Sequence, residues 1–176
     1  MTIGLPGADR PLPDAGLRAR REARVREHIA AETAGDLAAT LATMPRGANY
    51  RILPLGREHD GDDDVRELLA DLLRAFPDLQ LIPLRVHHAA DAVIIEGRTR
   101  GTQHADWAGI PSQGRVLDVE AAVIFRFDGE QMTNETVYYD HATAVAQLTA
   151  AHPEPAQPAP AHVRPPLPVR RAEADR

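Results

Sequence analysis

Residues 115–139 read RVLDVEAAVIFRFDGEQMTNETVYY, and this stretch decides the fold. Val119, Ala121, Val123, Phe125 and Phe127 alternate along it and can share one face. Glu120, Ala122, Ile124 and Arg126 fall on the other. Period-two alternation of this length is a β-strand with one buried side. Asp128-Gly129 suits a tight reversal, because both residues accept the backbone conformations that hairpin turns demand. Gln131–Tyr139 then returns as an antiparallel partner.

Working upstream, Leu79–His87 and Ala92–Thr102 alternate in the same way, with a turn at His88–Asp91. Before them the period is helical. Leu68, Leu69, Leu72 and Leu73 form a wide apolar face on Val65–Phe76, and Pro77 stops that helix. Asn49–Pro54 reads as extended. Asp36 can cap a short helix carrying Leu37 and Leu41 and ended by Pro45. Leu17–Thr33 is a longer helix, with Leu17, Val25, Ile29 and Ala30 as its apolar stripe. The arginines from Arg18 to Arg26 read as its solvated face, paired with Glu22 and Glu27. Downstream, Asp140 can cap a last short helix, His141 to about Thr149. Helices first and antiparallel strands second imply an α+β domain, with helices on one face of a curved sheet. A pocket between the two layers is the natural place for a small molecule.

Composition narrows the chemistry. Cysteine is absent, which excludes thiolate metal sites, iron–sulfur clusters and a cysteine nucleophile. A net charge of −6 argues against nucleic acid as the main partner. All 20 basic residues are arginine, so no lysine is present to form a Schiff base. No apolar run is long enough to cross a membrane and no secretory leader is evident, so a cytoplasmic location is expected. The acidic run Glu58–Asp64 does not have the spacing of a calcium loop and reads as a charged N-terminus for the following helix. His87 and His88 point to opposite sides of a strand, and His28, His59 and His141 lie in separate segments, so no metal site is expected. The organisation expected is a disordered segment over 1–16, one domain over 17–150, and a disordered Pro/Ala/Arg-rich tail over 151–176, which holds 7 of the 15 prolines.

Several motifs occur in a telling order: Phe76-Pro77-Asp78-Leu79, Gly101-Thr102, Trp107-Ala108-Gly109-Ile110-Pro111, Phe125-Arg126-Phe127-Asp128-Gly129, Tyr138-Tyr139-Asp140 and Gln147-Leu148. Their order and spacing resemble the SnoaL-like polyketide cyclase (ester cyclase) branch of the nuclear transport factor 2-like superfamily, over roughly residues 18–149. The resemblance implies a cone-shaped α+β barrel that dimerises through the outer face of its sheet. It also implies intramolecular aldol closure of an aromatic polyketide, as in secondary metabolism, without metal or cofactor. The family's acid/base is an Asp at the end of the last strand, and Asp140 matches it. Family members commonly read Gly-Thr-His. Here the run is Gly101-Thr102-Gln103, with His104 one place later, so either Gln103 or His104 faces the pocket. The family's last strand often carries a Trp where this chain has Thr136.

The expected site follows. Asp140 is the acid/base and His104 a second acid/base or donor. Gln103, Trp107, Tyr138, Thr136, Asn134 and Tyr50 contact a small hydrophobic polyketide-like ligand. Asn134, Thr136, Tyr138 and Asp140 share one face by alternation, so a pocket-facing Asp140 brings the other three with it. The alternatives are a non-catalytic small-molecule-binding or assembly module, or an epoxide hydrolase or hydroxylase. An epoxide hydrolase would need Asp140, Arg126 or Arg98, and Asp118 around one water.

Overall fold

In the computed structural model, which describes residues 10–44 and 47–150, the decisive hairpin forms the middle of a six-stranded sheet. Its strands are β5 (Val116–Asp128) and β6 (Gln131–Tyr139), joined at Asp128-Gly129. The helices are α1 (Ala15–Thr33), α2 (Leu37–Ala42), α3 (Asp62–Ala75) and α4 (His141–Thr149). The remaining strands are β1 (Asn49–Ile52), β2 (Arg57–Asp60), β3 (Gln80–Ala89) and β4 (Ala92–Thr102). The order across the sheet is β2-β1-β6-β5-β4-β3. All pairs are antiparallel except β1 with β6, which run parallel with Tyr50 beside Glu135. The Pro-rich tail, residues 1–9 of the N-terminal segment, and Pro45 lie outside the described residues.

The alternation on β5 is the one its sequence implies. Val119, Val123, Phe125 and Phe127 are buried, while Glu120 and Arg126 are exposed. Against this face pack Val65, Leu68, Leu69 and Phe76 of α3 and its exit. Burying each such side chain contributes about 1.5–3 kcal/mol. Asp36 and Asp140 cap α2 and α4 as their positions suggest. The 58–64 run divides differently: Arg57–Asp60 is a strand, and only Asp62, Asp63 and Asp64 form the acidic first turn of α3. A four-residue strand with no apolar alternation carries no periodic signal, and its place is set by pairing with β1.

The first helix differs most from its apolar reading. It starts at Ala15, with Asp14 accepting from Leu17 N at 2.8 Å. Its buried face is Arg21, Val25, His28, Ala31 and Glu32. Arg21 fastens the helix to the sheet. Its Nε donates to Gly129 O at 2.8 Å and its Nη1 to Ala90 O at 3.0 Å, tying down both hairpin turns at once. Its guanidinium also lies 5.3 Å over the Phe127 ring.

One glycine is required by packing. A side chain on Gly97 of β4 would collide with the Ile82 carbonyl and the Pro83 backbone, where β3 shifts register between Pro83 and Arg85. Backbone cannot swing aside as a side-chain tip does. Gly97→Ala is expected to lower folding stability by about 1–3 kcal/mol, measured by urea denaturation. An unchanged midpoint and slope would show that the bulge relaxes freely.

Candidate functional site

The helices and the concave face of the sheet enclose one well-formed apolar pocket. Ile52, Leu117, Val119, Val123 and Val137 supply its sheet side. Leu72, Phe76 and Leu79 close the α3 side, and Trp107 and Tyr139 also line it. Thr33 and Thr99 also line it, and three buried polar side chains enter it: Glu32, Tyr50 and Glu135.

These belong to a buried network built by four elements. His28 on α1 is fully buried. Its Nε2 lies 2.8 Å from Glu135 Oε2 and 3.5 Å from Glu32 Oε1. Its Nδ1 lies 2.6 Å from Thr43 Oγ1. The Thr43 hydroxyl spends its only proton on the Thr40 carbonyl, at 2.6 Å. Thr43 must therefore accept, and His28 Nδ1–H must donate. That leaves Nε2 facing two carboxylates. Tyr50 OH completes the set by donating to Glu135 Oε1 at 3.0 Å. The ring of His28 also meets Phe125 edge-on at 5.8 Å.

Charge inside this network follows from its surroundings. Burial alone would push His28 down, but the Glu32 and Glu135 carboxylates outweigh it and raise its pKa to about 10. His28 is thus an imidazolium at neutral pH. Burial and then the Glu32 charge raise Glu135 above the ordinary 4.5, against the pull of His28 and Tyr50. Burial, Glu135 and Glu32 hold Tyr50 well above 10, so it stays a neutral donor. Glu32 Oε1 is buried without a hydrogen-bond partner. The result is a proton-holding floor in a low-dielectric pocket, with an upward-shifted carboxylate and a phenol in contact. Such an arrangement can take a proton from an acidic C–H and return it elsewhere. His28, Glu32 and Glu135 also offer three ligand atoms within 4.8 Å of one another, the spacing a metal ion needs. At 2.8 Å, however, the His28–Glu135 contact is a hydrogen bond, and a proton already fits between them.

The structure brings two of the residues expected from sequence into this pocket, Tyr50 and Trp107. Trp107 is seated by its loop, where it exchanges two backbone hydrogen bonds with Ile110 and meets Phe76 edge-on at 6.2 Å. Gln103 is fully buried but does not line the pocket. Its Nε2 donates to Ile110 O at 2.9 Å, so it pins the loop that carries Trp107. His104 is exposed, and its backbone N–H donates to Ala75 O.

On β6 the pocket takes Glu135, Val137 and Tyr139, the opposite parity to Asn134, Thr136 and Tyr138. Tyr138 is 41% exposed on the outer face. Thr136 Oγ1 donates to Asn134 Oδ1, and Asn134 Nδ2 donates to Asn49. Asp140 is exposed and caps α4, accepting from Ala142 N, Thr143 N and the Thr143 hydroxyl. The Thr143 hydroxyl first, and the helix N–H groups with it, hold this carboxyl below the usual 3.8. Arg98 pairs with Asp118 at 2.7 Å, but neither lines the pocket, and Arg126 stands nearest Asp91. The three-residue arrangement an epoxide hydrolase needs does not assemble. Gln147 serves structure: its amide exchanges two hydrogen bonds with the Asp118 backbone and fastens α4 to β5.

His28, Glu32, Thr43 and Glu135 were not candidates from sequence. The available signal was spacing. Residues 21, 25, 28 and 32 form one helical face, but three of the four are polar, and an apolar stripe search passes over them.

Comparison with known proteins agrees with this architecture. A protein from Jannaschia sp. CCS1, described as a SnoaL-like polyketide cyclase, superposes with a TM-score of 0.72 at 17% identity, covering 81% of this chain and 100% of that one. A protein from Xanthomonas campestris pv. campestris, described as a polyketide cyclase, gives 0.68 at 22% identity, over 76% of this chain and 99% of that one. A hypothetical protein of ketosteroid isomerase-like fold from Catenulispora acidiphila DSM 44928, in complex with trimethylamine, gives 0.60 at 22%, over 71% and 91%. At these identities the likeness concerns the fold alone. No curated protein sequence matches the chain. The family model for SnoaL-like polyketide cyclase matches residues 23–148, which span the pocket, its polar floor and the cap of the last helix. The chain therefore belongs to the SnoaL-like polyketide cyclase family.

Proposed function

We propose that this protein closes a ring in a small, carbonyl-rich, polyketide-like molecule by cofactor-independent aldol condensation, with Glu135 as the acid/base. The observation that carries this reading is the ionisable set His28, Glu32, Glu135 and Tyr50 at the floor of a mainly apolar pocket. A carbon between two carbonyls loses its proton to the Glu135 carboxylate. The Tyr50 hydroxyl, freed from Glu135, donates to the developing enolate oxygen. The enolate carbon then bonds to a second carbonyl carbon of the same molecule. The alkoxide so formed takes the proton back from Glu135, and the site returns to its starting state. His28 remains an imidazolium throughout and holds the two carboxylates together.

Asp140 does not fit this role by position, since its oxygens are committed to the α4 N-terminus and it does not line the pocket. The homodimer that the family resemblance implies is supported by two large side chains exposed on the outer face of the sheet, Leu84 of β3 and Tyr138 of β6. Among the described residues no helix is long and apolar enough to cross a membrane, in keeping with a cytoplasmic catalyst.

The test is ring closure and solvent-deuterium uptake at the acidic carbon, using a panel of uncyclised aromatic polyketide esters and free acids. Wild-type protein is expected to catalyse both. Asp140→Asn is expected to lose less than about tenfold, well short of the roughly 10²–10⁴-fold that loss of an acid/base costs. Deuterium uptake by neither protein would favour a non-catalytic binding module instead.

A further inference from the structure

The floor of the pocket is acidic, and its rim carries a cation. Arg57, the first residue of β2, places its guanidinium 6.0 Å over the ring of Trp107. It also stands close enough to Tyr139 for its charge to be felt at that hydroxyl. Trp107 and Tyr139 both line the pocket, and Arg57, which does not itself line it, stands beside them at its margin. Among the described residues its side chain has no ion pair and no hydrogen bond. A guanidinium lying over an aromatic ring is held by its face, and its N–H groups stay free at its edge. That edge matches the two oxygens of a carboxylate.

Two further observations set which end of a ligand meets Arg57. The buried groups comprise two carboxylates and one imidazolium, so the floor repels an anion. The enclosed space is about 80 Å³, smaller than the roughly 150 Å³ cavity that admits a benzene ring. Only one end of an extended ligand is enclosed, and the rest lies at the mouth.

We propose that Arg57 is a ligand-binding residue that receives a carboxylate at the pocket mouth, so that the pocket takes apolar carboxylic acids with their carbonyl end inward and their charged end outward. This rests on the pocket being the ligand site, as in the function proposed above. It adds a substrate class and an orientation. A neutral ester of the same acid keeps the apolar contacts and loses the pairing with Arg57.

Trp107 is the chain's only tryptophan, so its fluorescence reports this site alone. The test is titration of the full-length protein with 5-oxohexanoate, which carries a ketone at the end opposite its carboxylate, and with its methyl ester. Wild type is expected to bind the carboxylate at least about tenfold more tightly, as a charge-assisted bidentate pair implies. Arg57→Gln should bind both alike, and Arg57→Lys should keep part of the preference because it keeps the charge without the fork. Raising the salt to about 0.5 M should shrink the preference, since the pair is exposed. Equal affinities in wild type, a preference for the ester, an undiminished preference in Arg57→Gln, or no binding of either probe would each overturn the assignment. The binding readout is independent of turnover. A carboxylate preference without deuterium uptake therefore removes the catalytic reading and leaves Arg57 in place. Deuterium uptake without the preference does the reverse.

Discussion

Replacing His28 with alanine is expected to lower folding stability by about 3–5 kcal/mol at neutral pH, the usual cost of removing one partner from a buried charge cluster. His28 is fully buried and, among the described residues, is the one cation in contact with both Glu32 and Glu135. Without it, two carboxylates face each other in an apolar pocket, and the Thr43 hydroxyl loses its donor. The contact with Phe125 goes as well. With a typical total of about 5–15 kcal/mol, this loss is a large share of the margin. The variant can recover part of it by protonating a carboxylate, so the deficit should shrink once the pH falls far enough for Glu32 or Glu135 to take up a proton. His28→Ala combined with Glu135→Gln should be less unstable than the sum of the two single changes, because the second removes the charge the first exposed. Urea denaturation of the four proteins measures this. A His28→Ala cost below about 1 kcal/mol would show that the network is not held by charge.

The same residue sets how stability depends on pH. The folded-state pKa of His28 is about 10, against 6.5 as the ordinary value. A raised folded pKa means that the folded state binds the extra proton. Its contribution is fully present below pH 6.5 and is lost as pH rises through about 10. Wild-type stability should therefore decline between these limits, and His28→Ala should flatten the decline. Glu135 is also raised, so its contribution likewise fades as pH rises, but through its own folded pKa. Tyr50, held well above 10, titrates beyond the window. The carboxylates with lowered pKa, Asp14, Asp64, Asp78 and Asp140 among them, keep their contribution above the ordinary 3.8 and lose it only as the pH falls below that value. The part of the decline that ends near pH 10 is the part that His28→Ala should remove.

Most of this architecture is legible in the chain because strand and helix periods are local. The Ala92–Thr102 and Gln131–Tyr139 strands and the helix from His141 have the bounds that alternation and capping suggest. What periodicity cannot show is which face of a strand looks inward when both faces mix polar and apolar residues. On β6 the outward set contains Asn134, Thr136 and Tyr138, and the inward set contains Glu135, Val137 and Tyr139. Neither is plainly apolar, and only pairing with β1 and β5 decides. β2 is invisible for a similar reason, since its four residues form a strand through β1 alone. The polar floor hides behind the general rule that buried faces are apolar. His28 and Glu32 lie one turn apart on α1, as solvated pairs often do, and Glu135 lies far along the chain. Only the tertiary fold reveals that they share one buried charge cluster.

Glu135→Gln is expected to reduce ring closure and α-proton exchange by about 10²–10⁴-fold, through kcat more than KM. The substitution preserves the shape of the side chain and its partnership with Tyr50 OH, 3.0 Å away, but removes the group that takes the proton. It also replaces the carboxylate that faces the His28 imidazolium, now 2.8 Å away, with a neutral amide. Its fold must therefore be verified by denaturation before its rate is read. Glu135→Asp keeps a base but withdraws it by one methylene, so it should fall between wild type and Glu135→Gln. Tyr50→Phe should lose less than Glu135→Gln, because it removes only a donor to the oxyanion. In wild type the rate should fall on the acid side as Glu135 gains a proton, with the limb displaced above 4.5 because burial raises that group. Asp140→Asn should leave the limb where it is, since Asp140 is exposed and its carboxyl is held below 3.8. A Glu135→Gln protein that keeps most of its rate, beside an Asp140→Asn protein that loses about 10²-fold or more, would move the acid/base to the cap of the last helix. It would also require Asp140 to leave the N–H groups of Ala142 and Thr143 during turnover. The opposite result places proton transfer at the buried floor, where the imidazolium of His28 keeps two carboxylates within one pocket.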